Sequence, residues 1–118
     1  MKLLCLVAVA GLVLPAAAHA QREIDLHVRS AGELADLCAA NPHAPGADAR
    51  INYCHGFAQG VVDVELMHGK PFCLPHPAPT RSATLHLFVD WVRGSSERGS
   101  MNPVDGLMQF LSQKYPCQ

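Results

Sequence analysis

Cys54 and His55 stand side by side in Ile51–Asp63 (INYCHGFAQGVVD), with Gly56 and Gly60 four residues apart behind them. A cysteine beside a histidine can be a nucleophile with its base, provided the thiolate is free and the imidazole points at it. On a helix, neighbours diverge by about 100° and do not face each other. Haem attachment wants Cys-x-x-Cys-His, and the chain has no Cys-x-x-Cys. Zinc sites announce themselves by close ligand pairs. His27, His43, His55, His68, His76 and His86 form no such pair on one helix face. The expectation is therefore no catalytic residue, no metal site and no cofactor.

The N-terminus decides the state of the cysteines. Lys2, the apolar run over residues 3–14 and Ala18-His19-Ala20 have the form of a secretory signal peptide cleaved after Ala20. The apolar run is shorter than the roughly 20 residues that a membrane span needs. Removing residues 1–20 leaves a single expected domain over 21–118, about 98 residues and enough for one small core. Counted without Lys2, acidic residues exceed basic ones by two, against a formal charge of −1 for the whole chain. That balance offers no basic surface for nucleic acid.

Of five cysteines, Cys5 falls in the leader and four are left: Cys38, Cys54, Cys73 and Cys117. An even number in an exported chain reads as two disulfides with three possible pairings. A cysteine so held is no nucleophile.

Helical signals fill most of the remainder. Residues 21–29 read as an extended lead-in. Ser30 and Glu33 form a capping box for a helix over about 31–40, ended by Asn41-Pro42. After a turn over 41–47, Asp48 is the expected N-cap of a long helix running to about 68. Ile51, Cys54, Ala58, Val61, Val62 and Leu66 share one face of it, and Tyr53, Phe57 and Val64 widen the apolar arc. A helix apolar over more than half its girth is expected at the centre of the fold. Gly56 and Gly60 then permit a neighbouring helix to approach closely.

Residues 69–79 carry four prolines and exclude regular structure. A third helix starts near Thr80 or Ser82, buried through Leu85, Phe88, Val89 and Val92. Residues 94–101 read as a flexible polar loop. Asn102-Pro103 opens a last helix, stopped by Pro116. The expected fold is all-α, a small four-helix bundle-like domain stapled by two disulfides. A short turn between the first two helices makes them antiparallel, which favours Cys38–Cys54 and hence Cys73–Cys117.

Candidate contact residues lie outside this framework. Glu65 projects into the apolar arc; it either reaches solvent or Lys70 from a fraying helix end, or meets a subunit or partner. Trp91 is core or a binding anchor. Ser95, Ser96, Glu97 and Arg98 sit on the loop, where recognition commonly resides.

Three motifs in register carry a resemblance: Tyr53-Cys54-His55-Gly56-Phe57-x-x-Gly60-Val61-x-Asp63, Phe72-Cys73-Leu74-Pro75 and Tyr115-Pro116-Cys117. Behind a signal peptide, over about residues 30–118, they resemble the Rap/Tai-type immunity proteins of type VI secretion systems. The resemblance implies a small periplasmic helical domain with disulfides, often dimeric. It also implies a partner, a secreted peptidoglycan amidase whose active site is occluded. In that likeness Cys54, Cys73, Cys117, Gly56 and Gly60 hold the fold together. The stretch Gly94–Ser100 stands where such proteins often have a short proline-containing turn. Competing readings are a periplasmic acid-stress chaperone triggered by its histidines, which titrate near neutrality, and a metal-binding module.

Overall fold

The computed structural model describes residues 27–118; the leader and the cleavage after Ala20 lie outside the described residues. These residues form five helices and no strand. They are α1 (Ala31–Cys38), α2 (Ala47–His68), α3 (Arg81–Arg93), α4 (Ser96–Ser100) and α5 (Pro103–Lys114).

Local chemistry sets most boundaries. The Glu33 N–H donates to Ser30 Oγ at 3.1 Å, and Glu33 Oε2 accepts from the backbone N–H of Arg29 at 2.7 Å. The capping box thus closes one residue further out than its usual form. Thr80 caps α3 by accepting from Ala83 N–H at 3.2 Å, and Asn102 caps α5 by accepting from Val104 N–H at 2.9 Å. The start of α2 differs from expectation. Gly46, at φ 75°, is the residue before the helix, with no side-chain cap, and Asp48 lies inside the first turn. Its charge favours the positive end of the helix dipole without capping it.

Two further expectations are corrected. Residues 94–101 are not a free loop, because 96–100 form α4, which packs against α1 and α3. Nor is α2 central. The short helix α1 touches all four others, whereas α2 packs on α1 and α3. Small residues explain the inversion, since Ala31 and Ala35 are fully or almost fully buried and let the neighbours close over α1. A Cβ added to Gly106 of α5 would stand 2.7 Å from Ala31 Cβ, and one on Gly32 would stand 3.1 Å from the Gly99 carbonyl. Only glycine fits at the first contact.

The core is built from Leu34, Cys54, Phe88, Leu107, Phe110 and Leu111 with their neighbours. Phe88 and Phe110 meet edge to face at 5.7 Å between centroids, a favoured aromatic arrangement. Cys38 pairs with Cys54 and Cys73 with Cys117. The second staple is supported by Cys73 N–H donating to the Tyr115 carbonyl at 2.8 Å, which ties the proline-rich segment to the end of α5.

Candidate functional surface

Cys54 is locked in its disulfide and fully buried, so His55 has no thiolate to activate. Among the described residues no group of three His, Cys, Asp or Glu side chains is placed to hold a metal ion. What the molecule offers is shaped surface.

Two grooves flank the contact of α2 with α3. The first, about 480 Å³, has an apolar floor of Ile51, Leu85 and Val89 beside the Cys38–Cys54 bridge, with His55, His86 and Asp90 at its rim. The second, about 340 Å³, runs between the C-terminal half of α2, the proline-rich segment and α5. Val62, Leu66, Phe72 and Leu74 line it, with Asp63 and Arg81 as its charged margin. Apolar floors with sparse polar rims suit docking of another protein's side chains.

The corner of α3, α4 and α5 is tied together by side chains. The Arg98 guanidinium lies over the Trp91 ring at 4.6 Å and donates to the Trp91 carbonyl at 2.9 Å. Trp91 Nε1–H donates to Gln113 Oε1 at 3.1 Å, and the ring packs against Phe88 and Phe110. Trp91, read from sequence as core or a binding anchor, and Arg98, read as a contact residue, are thus partners of each other. Ser95 is half-buried, and its carbonyl accepts from Gly99 N–H at 3.2 Å. Ser96 and Glu97 are exposed and form the tip of this corner. Glu65 is half-buried in a separate shallow depression with His68, Lys70 and Pro71.

Gly56 and Gly60 do not pack as expected within this chain. Both are exposed, and nothing among the described residues lies within 4 Å of a Cβ built on either. The glycines that admit close approach are Gly32 and Gly106, which the sequence reading did not single out. Their signal was the cluster Ala31, Gly32, Ala35 at the start of α1 and a glycine inside the apolar stripe of α5.

Among the described residues no helix is long and apolar enough to cross a membrane. A family model described as Rap1a immunity proteins matches residues 30–117, a span that takes in all five helices and both disulfides. No curated protein and no solved structure matches the chain significantly.

Proposed function

The chain belongs to the Rap1a immunity protein family, and on that premise we propose that it neutralises a type VI secretion effector in the periplasm. It does so without catalysis, by covering the effector's active-site groove, and the effector is a peptidoglycan amidase. The reading includes export by the leader over residues 1–20, a single domain over 21–118 and a homodimer.

The observation that carries it is the family match over 30–117, which includes the whole disulfide-tied scaffold. The physical properties agree with inhibition by occlusion. An inhibitor of this kind needs a surface that is ordered before binding, because ordering a loop at the interface subtracts from affinity. The α3–α4 corner meets that need. Arg98 and Trp91 hold it from inside, and Ser96 and Glu97 stand at its tip. We assign the first contact with the effector to Ser95, Ser96 and Glu97, with Arg98 and Trp91 fixing their geometry and Glu65 a peripheral contact.

The test is capture of the neighbouring gene's product by the purified, oxidised protein, followed by assay of its peptidoglycan cleavage. Stoichiometric binding with loss of cleavage is expected. A neighbour that is no toxin, together with no binding to any amidase effector, overturns the immunity role.

A further inference from the structure

The helix α2 is apolar on two opposite sides. Cys54 and Ala58 face the core. At about 100° per residue, Tyr53, Gly56, Val64 and Met67 all fall within roughly 40° of Gly60, on the side turned away from it. Phe57 borders this strip and packs its ring against Tyr53 at 6.1 Å between centroids. Val64 is 52% exposed and Met67 82%. No charged residue interrupts the strip between Tyr53 and Met67; its polar edge is made by Gln59 and Asp63, joined at 2.7 Å. Two glycines in mid-helix lose conformational entropy on folding and return no packing. Among the described residues nothing uses the space they leave.

We infer that this outward face of α2 docks on a second copy of the chain, α2 against α2, antiparallel, about a two-fold axis at Gly60. The register follows from side-chain size. With Gly60 on the axis, residues four and seven positions to either side come opposite one another. Gly56 of one copy meets Val64 of the other, and Tyr53 meets Met67. Each large residue then faces a glycine hollow or a flexible methionine, and Gly60 faces Gly60, so the backbones come close. A parallel pairing sets Tyr53 on Tyr53 and glycine on glycine, leaving hollows unfilled. An isologous contact must be self-complementary, and the strip is so only in the antiparallel sense.

Size sets the strength. Alpha-helical rise makes α2 about 33 Å long and about 10 Å wide, a footprint smaller than the roughly 800 Å² per partner of a standard interface. The dimer is therefore reversible, with dissociation in the micromolar range.

This inference rests on the homodimer of the functional reading and specifies its interface. It is tested on the oxidised mature protein by light scattering and by cross-linking. The unmodified protein should pass from monomer to dimer between about 1 and 100 µM, around the dissociation constant expected of so small a contact. Gly60→Cys should give a covalent dimer under mild oxidation, whereas Gln109→Cys, on exposed α5 surface, should stay monomeric. Val64→Asp combined with Met67→Asp should weaken dimerisation by about a hundredfold while leaving the helical circular dichroism unchanged. A monomer at the highest concentration overturns the inference, as does a dimer that Gly60→Cys does not trap. Effector binding is read separately: its loss in the unmodified protein defeats the immunity role, and a dimer trapped through Gly60→Cys stands without it.

Discussion

Glycine does opposite work in two regions of this molecule. At the junction of α1, α4 and α5, Gly106 sits against Ala31 and Gly32 against the Gly99 carbonyl, so each missing Cβ is occupied by a neighbour. There the chain closes on itself further through Ala31 N–H donating to the Met101 carbonyl at 2.9 Å. On α2, Gly56 and Gly60 leave open space on an exposed apolar strip. The junction converts small residues into interior contact, while α2 has only Ala47, Cys54 and Ala58 fully inside. A helix so thinly rooted is held by its disulfide, and it is the element with surface left to offer.

The difference can be broken from either side. Replacing Cys38 and Cys54 by alanine releases α2 from α1, and loop-closure entropy alone assigns about 3 kcal/mol to a bridge across this separation. Urea unfolding should show that loss, and hydrogen exchange should show α2 opening before α5. At the junction, Gly106→Val forces a side chain into the 2.7 Å contact with Ala31. Overpacking of this kind should remove about 2.5 kcal/mol, seen as a lower urea midpoint with both disulfides intact. Arg98→Ala loses the ring contact and the bond to the Trp91 carbonyl. About 1.5 kcal/mol is expected, with a change in Trp91 fluorescence as the accompanying signal. The smallest effect has the reverse sign. Gly60→Ala in dilute monomer should stabilise α2 by about 0.8 kcal/mol, since the added methyl meets nothing among the described residues. Destabilisation of the dilute monomer would mean that the outward face is occupied from within.

Much of this arrangement was legible in residues. Ser30, Thr80 and Asn102 cap helices by accepting backbone hydrogen bonds, a local interaction that local sequence determines. The short turn after α1 made Cys38–Cys54 the favoured pairing, and the structure has it. What was not legible is long-range. The helix α4 has no apolar stripe; Ser100 Oγ bonds the Ser96 carbonyl and Arg98 anchors it on Trp91, seven residues back. The central position of α1 depends on Ala31 meeting Gly106, seventy-five positions apart in the chain. Periodicity reports that a side of α2 is apolar, but an apolar side turned to the core and one turned to a partner have the same period. For the contact surface the sequence offered Trp91 as core or anchor and Ser95 to Arg98 as contacts, without showing which of them face one another. Trp91 and Arg98 satisfy each other, and the exposed groups beside them are Ser96 and Glu97.

Protection of a living cell tests the immunity role most directly. The product of the neighbouring gene is directed to the periplasm of a susceptible bacterium, and lysis is followed with and without this chain, expressed with residues 1–20. Survival is the expected result with the full sequence, and lysis with a version that lacks residues 1–20 and stays in the cytoplasm. Unchanged lysis, with folded and oxidised protein present in the periplasm, contradicts the immunity role.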